Sequence, residues 1–159
     1  SPGSDVAVTS PLRLVVRRTP ALPVEVSVRV PGDLDVVHEA AELLTKHCCA
    51  GLTPSPLTLK LQYRLKTLLC EALTNAIRHG IHENPARWVG VRVEITGELA
   101  MVHVSDDGAG FDPHSVVPPL DPNDLDQESG RGLLIIRQLA DEVTFNPQGN
   151  SICMTLRRR

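Results

Sequence analysis

The sequence predicts an α+β fold of two layers: a mixed, mostly antiparallel sheet with helices packed on one face. Three observations predict it. Short segments alternate valine with polar residues, as Val26, Val28 and Val30 do and as Val89, Val91, Val93 and Ile95 do. Two longer segments repeat apolar residues at helical spacing. Strands and helices interleave as β-α-α-β-β-loop-α-β-β, with hairpin-like neighbours among the strands.

Taken in order, residues 1–23 are punctuated by Pro and Thr and form an N-terminal arm, with Leu12–Val16 as a possible edge strand. Ser1–Ser4 is set aside from fold reasoning as a leader. Residues 24–159 form one domain. Glu25–Val30 reads as a half-buried strand closed by Pro31-Gly32. Asp33 or Asp35 caps a helix that runs to about Cys49 and buries Val36, Val37, Ala40, Leu43 and Leu44. A second helix spans Leu57 to His79, with Gly80 as its stop. Trp88–Thr96 and Leu99–Ser105 form a hairpin turning at Gly97-Glu98. Phe111–Ser129, rich in prolines and acidic residues, has the length of a functional lid. A short helix, Leu133–Ala140, precedes the strands Val143–Asn146 and Ser151–Leu156.

Composition narrows the function. Aromatics are only 3% of the chain, so Leu, Val, Ile and Ala must build the core. The net charge of -3 argues against a nucleic-acid partner. No apolar run approaches the roughly 20 residues of a membrane span. Cys48, Cys49, Cys70 and Cys153 show no C-x-x-C spacing, which reads as buried reduced thiols and a cytoplasmic protein. His47 beside Cys48 and Cys49, and His79 with His82, lack a zinc-ligand spacing.

The chemistry gathers at three places. Glu71, Asn75 and His79 stand four residues apart, in a narrow polar stripe at about 100° per residue along the apolar face of the second helix. Asp106-Asp107-Gly108-Ala109-Gly110 comes straight off a strand, where glycines admit close approach of a ligand and Asp106 offers an acceptor for an exocyclic amine. Gly130-Arg131-Gly132 opens the helix near Leu133, where unpaired amides and the helix dipole favour phosphate. Each has an ordinary alternative: a wet helix flank, an Asp-Gly turn, a hinge before a helix. The sequence has neither a G-x-x-x-x-G-K-[ST] loop nor G-x-G-x-x-G, so the P-loop and dinucleotide folds do not apply.

The order of these motifs carries a resemblance. E-A-L-T-N-A-I-R-H-G, S-D-D-G-A-G-F-D and S-G-R-G-L-L-I-I-R-Q-L-A-D-E-V are similar to the motifs of the GHKL, or Bergerat-fold, ATPases, and among them to the anti-sigma-factor serine kinases of bacterial partner switching. The similarity covers roughly Glu25 to Leu156.

That resemblance implies the Bergerat sandwich with a mobile ATP lid and Mg²⁺-ATP as ligand. It implies Glu71 as the general base, Asn75 as the holder of Mg²⁺ and Asp106 as the reader of adenine. Gly108 and Gly110 would shape the base pocket, and Ser129, Gly130, Arg131, Gly132 and Leu133 would line the nucleotide. His79 matches a motif position and anchors the helix end or the nucleotide. The implied partners are a sigma factor and a STAS-domain antagonist phosphorylated on serine, with the kinase a homodimer. The lid departs from some relatives at Glu128, where they carry a basic residue; the nearest cation here is Arg131. Two other functions stay open: an ATP-binding anti-sigma clamp without kinase activity, and the catalytic domain of a histidine kinase. The latter needs a separate helix pair bearing a phospho-accepting histidine, and no helical pattern is seen before Glu25.

Overall fold

A computed structural model describes residues 4–9, 12–17, 24–106 and 128–158. The chain opens with β1 (Ser4–Thr9), β2 (Leu12–Arg17) and β3 (Val24–Pro31). A 3₁₀ turn at Leu34–Val36, capped by the Asp33 carboxylate accepting from the Asp35 amide, leads into α1 (Val37–Cys49). Helix α2 (Pro56–Asn75) continues into a π turn, Ala76–Gly80. The hairpin β4 (Trp88–Ile95) and β5 (Leu99–Asp106) follows, then α3 (Glu128–Leu139), β6 (Glu142–Phe145) and β7 (Ser151–Arg157).

The seven strands form one sheet in the order β1-β2-β3-β4-β5-β7-β6. Every pairing among the described strands is antiparallel, so the parallel component that a mixed sheet would bring is not among them. The reason is the connectivity. The strands turn back as hairpins, and the α1–α2 excursion returns β4 antiparallel to β3. β2 is not the edge, because β1 pairs along its length. Val6 and Val8 carry the alternating signal of β1, within a stretch too short and too close to the chain start to stand out.

Register lays the core out in rows. Val24, Ile95, Ala100 and Leu156 stand side by side; so do Val26, Val93, Val102 and Met154, and then Val28, Val91, Val104 and Ile152. Successive side chains on a strand alternate faces, so these rows share the face that meets the helices. Leu61, Leu65, Leu68, Leu69 and Leu73 of α2 and Ile77 of the π turn are buried there, with Ala40, Ala41, Leu44 and Cys48 of α1. Each fully buried Leu or Ile contributes about 1.5–3 kcal/mol relative to exposure. Burial also pushes the Cys48 thiol far up, and all of the cysteines are free, as inert packing groups would be.

The ends of α2 are set by local chemistry. Ser55 Oγ accepts from the Thr58 amide at 3.1 Å, and Pro56 sits in the first turn, where its missing N–H costs nothing. The expected straight run to His79 instead widens after Asn75: the Ile81 amide donates to Ala76 O at 3.0 Å, across five residues. His82 and Glu83 then take positive φ of 53° and 55°, held by the Glu83 amide donating to Ile77 O at 2.7 Å. Such backbone persists in non-glycine residues only where the surroundings impose it.

One buried ion pair fastens α2 to the other end of the domain. Arg64 donates to Leu139 O and Arg157 O, each at 2.8 Å, and reaches Asp141 Oδ2 at 3.2 Å. The same carboxylate accepts from the Arg157 amide at 2.7 Å. Side-chain exposure is 11% for Arg64 and 10% for Asp141, so removing one partner strands a buried charge. Arg64→Ala is expected to cost about 3–5 kcal/mol in urea unfolding. Arg64→Met combined with Asp141→Leu should cost clearly less than the two single changes added together.

Candidate functional site

The site begins with a parity. Asp106 follows Val102 and Val104 on β5 and stands in register with Val89, so it occupies the fourth core-facing row beside Val30 and Val89. It is the one acid in these rows, and its backbone amide donates to Asn150 O at 2.9 Å. A carboxylate there needs a neighbour that leaves room. Gly80, at the end of the π turn, supplies it: a Cβ at Gly80 would fall 2.6 Å from Asp106 Cγ and 3.0 Å from Oδ1. No side chain fits at that distance.

Helix α3 closes the other side. Gly132 lies against the polar stripe of α2: a Cβ on it would sit 3.1 Å from both Asn75 amide atoms and 3.2 Å from Glu71 Oε2. Glu71 and Asn75, one helical turn apart on α2, are thus brought together beneath a single glycine. Helix α3 starts at Glu128, earlier than the expected start near Leu133, so Ser129, Gly130, Arg131 and Gly132 lie within its first turns and not ahead of it. The sequence did not show this because glycines argue against helix interior unless a close crossing requires them. Leu133 and Ile136 of α3 are buried beside the cleft.

The cleft between these elements is lined by Asn75, Ala76, Val104, Asp106, Leu133 and Ile136, and closed by the turn around Asn150. That turn escaped sequence reasoning. Asn146 Oδ1 accepts from the amides of Asn150 and Ser151 at 3.0 and 3.1 Å, and its Nδ2 donates to Asn150 Oδ1 at 2.6 Å. The Asn-Pro-x-Gly-Asn run between two strands is its only signal. His79 lies half-buried in the π turn and is not among the residues lining the cleft. Gly108 and Gly110 lie outside the described residues, as does the expected lid up to residue 127.

The electrostatics single out Glu71. Burial holds its carboxyl above the usual carboxylate range, and the positive charges of Arg131 and Arg78 pull it partly back. A carboxyl so poised accepts a proton more readily than a surface glutamate. The oxygens of Glu71 and Asn75 are hard donors of the kind Mg²⁺ takes. Among the described residues there is no cluster of three His, Cys, Asp or Glu side chains able to hold a metal alone. A divalent ion held here would need further oxygens, of the kind a phosphate ligand supplies. The donor set fits. The cleft as described holds about 30 Å³, room for about one water.

Antiparallel sheet, helices on one face and a largely apolar cleft between α2 and α3 with Asn75 and Asp106 in its lining define a class. Residues 30–156 match the histidine kinase-like ATPase domain family, and the chain belongs to it. Among its curated relatives are proteins named Serine-protein kinase RsbW from Staphylococcus aureus strains JH9, Newman and USA300. Each is 34% identical over 98 residues, covering 57% of this chain and 62% of the relative. No helix among the described residues is long and apolar enough to cross a membrane.

The fit at Gly80 gives a stability test. Gly80→Ala is expected to cost about 1–3 kcal/mol by overpacking against Asp106. Combining it with Asp106→Gly should recover most of that loss, a coupling that denaturant titration of the three variants measures directly.

Proposed function

We propose that the protein is an ATP-dependent protein-serine kinase and anti-sigma factor. It transfers phosphate to a serine of a STAS-domain antagonist and, in its other state, sequesters a sigma factor. The family and the printed name of the relatives support the kinase reading; the partners rest on the motif resemblance. The observation that carries it is the meeting of the Glu71 carboxylate and the Asn75 carboxamide under Gly132.

In this reading Asp106 takes the exocyclic amine of adenine, and the free amides of the first turn of α3 face the phosphates. Asn75 would hold Mg²⁺, which neutralises charge on the triphosphate when bound. Glu71 takes the proton from the attacking serine hydroxyl. The serine oxygen bonds to the γ-phosphorus as the bond to the β–γ bridging oxygen breaks, and ADP leaves. Arg131, exposed on α3, is the cation nearest Glu71 on that helix.

Glu71→Ala should abolish transfer to the antagonist while leaving ATP affinity within about threefold, measured by phosphate incorporation and calorimetry. Undiminished transfer removes Glu71 from the base role, and ATP uptake without any transfer by the parent protein favours the clamp.

The pH profile follows from the raised carboxyl. Transfer should rise with pH through a midpoint above the ordinary glutamate value of about 4.3 and then level off. Stability runs the other way: folding takes up a proton between the unfolded and folded values, so the contribution of Glu71 is lost as pH rises through the folded value. Glu71→Gln should accordingly melt higher than the parent at neutral pH and equal it below pH of about 4.

In this reading Mg²⁺-ATP binds beside the crossing of α2 and α3 at Gly132. Hydrogen exchange at the amides of Arg131, Gly132 and Leu133 should change on nucleotide addition, while that of the β3–β4 pair stays the same.

A further inference from the structure

The face of the sheet turned away from the helices carries a second feature, unrelated to the cleft. Its rows can be read from the register. Arg29, Gly90, Ser105 and Ser151 stand side by side in one; Val15, Ser27, Arg92, His103 and Cys153 form the next. The acids Glu25, Glu94 and Glu142 all fall in the row beyond. Arg17 also stands in that row, opposite Glu25, so the rows of Arg29 and Arg92 hold no acid while the next row is mixed, on a chain whose net charge is -3.

A shallow trough of about 480 Å³ runs over the basic rows, lined by Arg29, Arg92, His103 and serine hydroxyls, with Gly90 among its lining residues. Gly90 is the informative residue. The pairing of β4 with both neighbours runs unbroken past it, so it marks no bulge. A Cβ there would meet only Ser105 Oγ at 3.6 Å and Ser105 O at 3.8 Å, ordinary contact distances. Packing does not require glycine. A strand-interior glycine that serves neither a bulge nor a tight contact marks a place where another chain or ligand comes close.

The cations around it are held ready. The Arg29 guanidinium lies over the Trp88 ring, 5.1 Å from its centroid, and a stacked guanidinium still presents its N–H edge. Arg92 gives Nε to Glu94 at 3.1 Å, engaging part of its donor set. Arg29 pairs with Gly90, so Arg92 is its diagonal neighbour, about 7–8 Å away at the backbone. The two guanidinium heads diverge, one toward Trp88 and the other toward Glu94, so both ends of the trough carry a cation.

We propose that this trough docks an extended acidic segment of a protein partner, with carboxylates taken by Arg29 and Arg92 and the partner backbone passing over Gly90. The inference does not rest on the kinase reading.

Trp88 is the only tryptophan, so its emission reports docking on the intact protein. A short peptide alternating Asp with Ser should change that emission saturably at low salt, and its Asn-for-Asp counterpart should not. Arg92→Glu should weaken the Asp peptide roughly tenfold or more in calorimetry, as reversal of a contacting charge does. Gly90→Ala, whose added Cβ meets only ordinary contacts, should weaken it without lowering the melting temperature. Equal binding of the Asn peptide, full binding by either variant, or no saturable change would overturn the proposal. So would tighter binding of a single-stranded oligonucleotide than of the Asp peptide.

Discussion

A carboxylate on the core-facing row of a β-strand is expensive unless its surroundings accept it. Asp106 holds that position, and the domain bends around it. The sheet brings it to the end of the valine rows, the π turn presents a glycine to it, and the Asn146–Asn150 turn fixes the strand end through the Asp106 amide. Had α2 stayed regular, Gly80 would not meet the carboxylate as it does. The widened turn and the two left-handed residues after it are local irregularities of the kind that gather at functional sites.

The second constraint is the crossing of α3 over α2. Gly132 lets the helices approach closely enough to bury Leu133 and Ile136, and it places Glu71 and Asn75 under the same backbone. Packing and chemistry share one residue there. The Arg64–Asp141 pair, at the far end of α3, ties Leu139 to α2 and to β7. The helix is thus pinned at its C-terminal end by Arg64 and packed on Asn75 at its glycine-bearing end.

Much of this was legible in the residues. The valine alternation of β3 and β4 gave the strands, and apolar spacing gave α1 and α2, because burial on one face leaves a period in the sequence. Glu71, Asn75, Asp106 and Gly132 stood out by type and spacing; Asn75 and Asp106 line one cleft, and Gly132 packs against Asn75 and Glu71. What escaped were features with no period. β1 is a short strand beside a proline-punctuated arm. The early start of α3 is hidden because glycines read as helix breakers. The π turn depends on tertiary contacts of Ile77 and Ile81 that no local pattern encodes. The basic rows outside the sheet emerge only when five strands are set in register, since Arg29, Arg92 and His103 are far apart along the chain.

A core built almost wholly of aliphatic side chains has a practical corollary. The sole tyrosine, Tyr63, is 69% exposed on α2, and the sole tryptophan sits on the outer side of the sheet. Ultraviolet emission and near-ultraviolet dichroism therefore watch the skin of the molecule and are nearly blind to its interior. A spectral transition at Trp88 signals an event at the surface, and loss of the valine rows has to be followed through the peptide bond itself.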